Sequence, residues 1–423
     1  MGVKMHSTRN KLFLMMVLQI AVWGAWQPKI FPYMGMLDFT PWQQALVGSS
    51  WGLAALVGIF FSNQFADRSF SAERFLAGSH VIGGLALAGC AFVTDFWPFF
   101  ALYMLYSLVY VPTLSVANSI AFANLAEPAK DFGLVRMGGT VGWIVASWPF
   151  VFLLSANADA SQVRWIFLVA AIISFGLAAY SLTLPHTPPR TDISGLDRLA
   201  WVKALRLLKT PFVLVLFLVT FIDSVIHNGY FVLSDAFLTN RVGIAGNLSM
   251  IVLSLGQVAE ILTMLVLGTV LAKLGWRATM IIGILGHGAR FLVFAFFPDN
   301  VPVIVAVQLV HGICYAFFFA TVYIFVDEAF PADVRSSAQG LFNLLILGVG
   351  MVVASFVFPA LASQMSHTVV GADGVASSVV DYRSLFMIPA GLSTLGVLIL
   401  GVFFRPPNAR PRPKAIEATL APH

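Results

Sequence analysis

The stretch Pro185–Thr210, PHTPPRTDISGLDRLAWVKALRLLKT, is the longest polar connection in a chain that is otherwise strongly apolar. On each side of it stand six apolar runs, at about 11–35, 43–66, 75–94, 97–125, 132–155 and 163–184 before it, and 211–240, 247–272, 277–297, 300–329, 335–363 and 382–404 after it. Runs of about 18 or more apolar residues are long enough to cross hydrocarbon as a helix. The expected fold class is therefore all-α and integral to the membrane, with twelve transmembrane helices. They form an N-terminal six-helix half (1–184) and a C-terminal six-helix half (211–404), separated by the linker 185–210 and followed by a tail, 405–423. Within the linker, Leu196–Leu208 has two readings, a short basic amphipathic helix on the membrane surface or a solvated connection.

Composition points the same way. The 423 residues are 59% hydrophobic and 10% charged, with a mean hydropathy of +0.88, which excludes a soluble domain. Cys90 and Cys314 each sit inside an apolar run, which argues against a disulfide framework or a metal cluster. The first run continues past Trp23 and Trp26, too long for a signal-peptide core, and reads as an uncleaved span. H-E-x-x-H and clustered metal ligands are missing, so no enzyme and no cofactor is expected.

The net charge of +5 raises the question of a nucleic-acid partner, and the position of the charges answers it. With the N-terminus inside, eighteen of the 24 Lys and Arg fall in cytoplasmic segments. Lys29, Arg164, Arg241 and Arg383 fall outside, and Arg136 and Arg290 lie within spans. That bias is the positive-inside pattern with both termini cytoplasmic, and it accounts for the basic balance without nucleic acid. Pro32, Pro112, Pro149 and Pro359 are the expected bend points of the longer spans.

Arg136 stands in DFGLVRMGGTVGWIVASW (Asp131–Trp148), where helical spacing puts Arg136, Thr140 and Trp143 on one face. Gly138, Gly139 and Gly142 let a neighbouring helix or a ligand approach the backbone. Two readings are open: a donor, a hydroxyl and an aromatic surface facing a polar ligand, or an arginine that snorkels to the headgroups. A weak internal repeat relates the two parts of the chain. FADRSFSAERF (Phe65–Phe75) corresponds to LAKLGWRA (Leu271–Ala278), and RMGGTVG at the fifth span to RSSAQG (Arg335–Gly340) at the eleventh. A duplicated six-helix unit is a transporter architecture whose substrate site lies near the midplane.

Residues near the middle of a span cannot reach water, and an acid there costs at least about 2.5 kcal/mol on insertion scales. This criterion selects Gln19 and Trp23, Tyr110 and Thr113, Thr140 and Trp143, Asp223, His227 and Asn228, Gln257 and Glu260, and His311 and Tyr315. Glu260 shares a face with Gln257, has no base nearby in its own helix, and suits uptake and release of a proton. Asp223 and His227, four residues apart, are expected to satisfy each other, and Arg290 to serve as a structural partner within the bundle. Asp327, Glu328, Asp333 and Arg335 cluster at a span end and read as gate or latch contacts.

Asp67 and Arg68 resemble the short acidic-basic loop signature of the major facilitator superfamily, although its usual glycines are missing. The wider set of motifs resembles the nucleoside:proton symporters of that superfamily. It comprises Q-x-x-x-W-G-x-W (Gln19, Trp23, Gly24, Trp26), P-T-L-x-x-x-N-x-I (Pro112–Leu114, Asn118, Ile120) and R-x-x-G-T-x-G (Arg136, Gly139, Thr140, Gly142). It continues with L-T-L-P-H-x-P (Leu182–His186, Pro188), Q-x-x-E (Gln257, Glu260) and R-x-S-A-Q-G (Arg335, Ser337–Gly340), in order along nearly the whole chain. The resemblance implies a nucleoside site built from Arg136, Thr140, Gln257 and Glu260 with aromatics, among them Trp143, Tyr315 and Trp23. Asn228 takes the place of a family amide, Phe231 replaces a second one, and Gln19 lies at the depth of the site.

Where the family has an acid directly after an aromatic, Tyr315 is followed by Ala316. Glu260 then acts alone in proton coupling, Asp223 substitutes, or the protein is an uncoupled facilitator. The expectation is a monomeric importer of nucleosides by proton symport and alternating access, multi-pass in a bacterial inner membrane, with nucleoside, proton and lipid bilayer as partners. Asp67, Arg68, Asp327 and Arg335 are its expected gating residues. The alternative is a major facilitator for another polar solute, such as a sugar or drug.

Overall fold

A computed structural model describes residues 2–69, 71–125, 128–188, 206–330, 332–370 and 376–406. The first part of the chain folds into α1 (Gly2–Trp26), α2 (Pro41–Ser69), α3 (Ala72–Cys90), α4 (Phe96–Asn124), α5 (Pro128–Ser147) and α6 (Ala160–Ser181). After the linker comes α7 (Pro211–Asn240), then a helical run, Ser249–Phe296, broken at Gly275. We name its two parts α8 and α9. They are followed by α10 (Val301–Ala329), α11 and α12 (Tyr382–Phe403). α11 comprises Ala332–Asn343, a π turn at Leu344–Val349, and Gly350–Gln364.

Among the described residues, seven helical runs are long and apolar enough to cross a membrane: α4, α6, α7, the Ser249–Phe296 run, α10, α12 and the Ala338–Gln364 part of α11. α1 and α5, outside that set, hold Gln19, Arg136 and Thr140. The surface helix expected over Leu196–Leu208 and the tail lie largely outside the described residues, as do the side chains of Asp67 and Arg68.

Several details depart from the pattern read off the sequence. Ser366–Val370 (β1) and Ala376–Val380 (β2) form an antiparallel hairpin between α11 and α12, so the fold is helical with one small ribbon. Proline does not interrupt every helix that contains it. α4 runs unbroken through Pro112 and α11 through Pro359. The chain leaves helical geometry at Trp148–Pro149, between α5 and the short helix Phe150–Leu153. It tightens into a 3-10 turn at Gln27–Lys29, which contains Pro28, before resuming as Ile30–Met36. At Gly275 the backbone adopts φ 76° and ψ 176°, a conformation open to glycine and costly for other residues, and this turns α8 into α9. π turns at Tyr315–Ala320 and Leu344–Val349 rotate the helix faces that follow them.

The cores explain how the bundle is held. One large cluster, from Ala21 and Trp26 through Phe99 and Phe167 to Phe237, Phe294 and Phe386, takes residues from both six-helix parts. It lies toward the end that carries the α1–α2, α5–α6 and α7–α8 connections. Toward the other end the core divides. Leu12, Met15, Leu76, Ile120 and Phe132 pack within the first part alone, and Leu216, Trp276, Phe318 and Phe325 within the second alone. The two parts therefore share a core at one end and separate at the end bearing the linker. α2 packs on α11 and α5 on α8 across the divide.

Within the first part, α1 lies so close to α5 that a Cβ on Gly142 would stand on the Val17 carbonyl oxygen. Gly142→Ala should accordingly force the helices apart and destabilise the protein by about 1–3 kcal/mol, the usual cost of overpacking. Gly391→Ala, where nothing lies within 4 Å, should leave stability unchanged or slightly raised. Thermal unfolding of the two variants in detergent checks this difference.

Candidate functional site

α5 presents Arg136, Thr140 and Trp143 toward the divide between the two parts. Trp143 is buried, its ring edge-on to Trp23 of α1 at 5.2 Å and 5.9 Å from Phe231 of α7. Trp23 in turn stacks on Trp51 of α2 at 4.4 Å. These rings make an aromatic wall drawn from four helices. Beside it, Arg136 and Thr140 remain half-buried, as do Glu260 of α8 and Tyr315 of α10. These polar groups are partly exposed in mid-helix, so accessible space reaches them beside the aromatic wall.

The charges here act on one another. Arg136 exerts its field on Glu260 and on Tyr315, and Glu260 acts on Tyr315, so three helices from both parts contribute to one electrostatic group. Arg136 has no hydrogen-bond partner among the described residues. Gln257 Oε1 and Trp23 Nε1 are buried without a hydrogen bond. A buried polar atom left unpaired costs about 1–3 kcal/mol, so a ligand that supplies the missing partner is correspondingly favoured.

Other sequence-selected residues are already committed elsewhere. Gln19 uses both ends of its amide: Nε2 donates to Thr113 Oγ1 (2.8 Å), and Oε1 accepts from His80 Nε2 (3.0 Å). Tyr110 donates to the Gln19 carbonyl. These contacts tie α1, α3 and α4 together. Asn228 is buried, and its Nδ2 donates to the carbonyls of Ser224 (2.8 Å) and Ile346 (3.4 Å), which leaves only Oδ1 uncommitted. Asp223 and His227 do not pair with each other as expected. His287 of α9 inserts between them, donating from Nδ1 to Asp223 Oδ1 (2.9 Å), with its Nε2 3.4 Å from His227 Nδ1. Arg290, expected as a bundle partner, is fully buried over the Tyr230 ring at 3.7 Å and donates to His311 Nδ1 (2.9 Å). Asp327 and Arg335 approach within 3.6 Å but are 53% and 38% exposed, a surface pair. Ala316 is buried.

Sequence reasoning missed two features. Lys29, expected outside in water, is 4% exposed and joins Asp235 of α7 (3.0 Å) and Ser249 of α8 (2.9 Å) across the divide. At the same end, Gly246 N donates to Ala156 O (2.8 Å) and Asn247 Nδ2 to Val151 O (3.3 Å), and these bonds also join the two parts. His80 and His287 are the second omission. The mid-depth criterion, applied to the third and ninth runs as it was to the others, selects both.

A two-part helical bundle whose unpaired polar groups meet at mid-depth between the parts is a membrane transporter, not an enzyme. The chain belongs to the nucleoside H+ symporter family, whose model matches residues 5–409. The YegT transporter of Escherichia coli K12 is 31% identical over 350 residues, covering 81% of this chain and 82% of that protein. Xanthosine permease of the same organism is 28% identical, covering 94% and 95%. The crystal structure of a point mutant of the nucleoside transporter NupG superposes with a TM-score of 0.81 at 25% identity, covering 94% of this chain and all of that one. The fold is that of the major facilitator transporters.

The geometry separates two kinds of ion pair. Removing one partner of the buried pair, as in Lys29→Met, strands Asp235 and should cost about 3–5 kcal/mol. Asp327→Asn, at the exposed pair, should change stability by less than about 1 kcal/mol. Thermal melting of both variants in detergent reads the contrast.

Proposed function

We propose that this protein imports nucleosides together with protons through a site shared by its two halves, 1–184 and 211–404. On this reading the nucleobase lies against Trp143 and Trp23. Arg136, Thr140 and Gln257 bond the polar edge of the base and the ribose hydroxyls, and Glu260 accepts a hydroxyl and the transported proton. Tyr315 and the Oδ1 of Asn228 complete the lining, while Gln19 acts behind it as a cross-tie. The observation that carries the reading is the set of uncommitted polar groups beside an aromatic wall: Arg136 without a hydrogen bond and the orphaned Gln257 Oε1, next to Trp23 and Trp143. Flat, apolar faces with polar edges and a hydroxylated sugar are the ligand chemistry that fits them.

Twelve membrane spans with both termini in the cytoplasm of a bacterium, at its inner membrane, agree with the bias of Lys and Arg toward the linker-bearing side. In that orientation the shared core and the Lys29–Asp235–Ser249 contact close the outer side, and the divided cores leave the inner side open. The conformation is then inward-facing. Import requires the halves to rock about the site, with Asp327 and Arg335, and by the motif resemblance Asp67 and Arg68, as inner gate contacts. Substrate and proton drive this only if together they favour the occluded state. The protein functions as a monomer on this account.

Uptake of a panel of labelled nucleosides into proteoliposomes, with and without an inward proton gradient, tests the proposal. Gradient-stimulated uptake of at least one nucleoside is expected, and a panel with no uptake or exchange overturns it. Arg136→Gln should weaken nucleoside binding by about tenfold or more, since a charged hydrogen bond is worth about 1.5–3 kcal/mol. Glu260→Gln should retain nucleoside exchange while losing part of the stimulation by the gradient.

A further inference from the structure

His227, His287 and Asp223 form a continuous chain from the edge of the site into the closed interior of the C-terminal half. His227 is half-buried and borders the site, its ring 5.3 Å from Phe231 and 6.2 Å from Tyr315. Its Nδ1 lies 3.4 Å from His287 Nε2, and His287 Nδ1 lies 2.9 Å from Asp223 Oδ1. His287 and Asp223 are fully buried, and Asp223 Oδ2 has no hydrogen-bond partner. An acid buried in this way, joined to a ring that titrates, demands a function beyond packing.

We infer that the Asp223–His287–His227 chain is a second protonation site of the transporter, separate from Glu260, which takes its proton from the substrate site through His227. The inference rests on the symport reading above. The transfer balances within the chain. With His287 neutral, its Nδ1–H is held by Asp223, and its bare Nε2 accepts the Nδ1–H of His227. A proton that binds His227 Nε2 is matched by passage of the Nδ1 proton to His287 Nε2. His227 ends neutral, and His287 ends as an imidazolium against the Asp223 carboxylate.

The neighbouring groups define one route. α7 contributes Tyr230 besides Asp223 and His227. α9 contributes Arg290, whose charge acts on His227, and α10 contributes Cys314 beside His287 and His311 and Tyr315 beside His227. α8 brings Glu260, which acts on Tyr315 at the other edge of the site. α11 and α12 bring no charged side chain against these rings among the described residues. His311 stacks on His227 at 5.2 Å, but its Nδ1 is occupied by Arg290, so it is a neighbour of the chain rather than a link in it. Glu260 and Asp223 are therefore two acids on separate routes from one site, and the second stands where Ala316 provides none.

Proteoliposomes with an entrapped pH indicator, given uridine or adenosine, read protons moved per nucleoside. In the wild type both should move together. Glu260→Gln should retain nucleoside-dependent proton movement, and His287→Gln and His227→Gln should each lower the proton-to-nucleoside ratio and shift its pH profile. Glu260→Gln combined with His287→Gln should move no protons, and purified His287→Gln alone should still bind adenosine. Wild-type ratio and pH profile in both histidine variants overturn the inference, and so does loss of all proton movement in Glu260→Gln alone. His227→Gln, at the half-buried end, keeps the test decisive if His287→Gln fails to fold. Nucleoside transport by the wild type with no proton movement overturns the symport reading instead, and the inference with it.

Discussion

A polar group surrounded by hydrocarbon must find its partner within the protein, and this requirement sorts the buried polar residues of the chain into distinct kinds. Gln19, His80 and Thr113 satisfy one another and so bind α1, α3 and α4 into a unit that cannot separate without stranding hydrogen bonds. Lys29, Asp235 and Ser249 also satisfy one another, but their partners lie in different halves. The first kind makes a half rigid, and the second makes the relation between halves dependent on a contact that can break. Arg136, the Gln257 carbonyl and the Trp23 N–H belong to neither kind. They hold polar capacity in reserve at the depth where a reserve is most costly, as a site for a polar solute requires.

The apolar packing follows the same division. A single core at the end of the α1–α2 connection takes rings from both halves, whereas the linker-bearing end has one core for each half. Each half thus keeps its own hydrophobic support when the shared core is disrupted. Rigid-body rocking is the motion such an arrangement permits, because packed cores move between discrete arrangements and do not deform smoothly. The close approach of α1 and α5 at Gly142 reinforces this, since it makes Arg136, Thr140 and Trp143 move as one body with Trp23.

How much of this was legible in the sequence depends on the range of the interaction. Apolar runs are local, and they revealed the helices and a membrane protein. Arg136, Thr140 and Trp143 were readable as one face because helical spacing alone aligns them. The pairing of Asp223 was misread because the i, i+4 rule sees only one helix, and the intervening ring of His287 arrives from α9, 64 residues away. Lys29 was misread for a related reason. Charge counting cannot see a partner on another helix, whereas a 3-10 turn at Gln27–Lys29 places this lysine against Asp235 and Ser249. The π turns and the Ser366–Val380 hairpin left no periodicity to detect. Proline alone did not mark where helices break, since α4 and α11 run unbroken through Pro112 and Pro359.

Arg136 and Glu260 come from opposite halves, and this bears on how binding is converted into movement. Arg136 exerts its field on Glu260 across the divide, so their attraction affects the relation of the halves as well as the ligand. When Glu260 takes a proton, that attraction is lost, and Arg136 is left as a cation whose nearest compensation is an oxygen of the ligand. A nucleoside bonded to Arg136 on one side and to a protonated Glu260 on the other restores a bridge between the halves, now built of hydrogen bonds. The empty deprotonated site keeps the long-range attraction of Arg136 for Glu260, while a site holding a proton without nucleoside has neither attraction nor bridge. On the proposed mechanism this is the difference that transport needs: the states able to close are those with proton and substrate both present or both absent, and a lone proton finds no occluded state to carry it across.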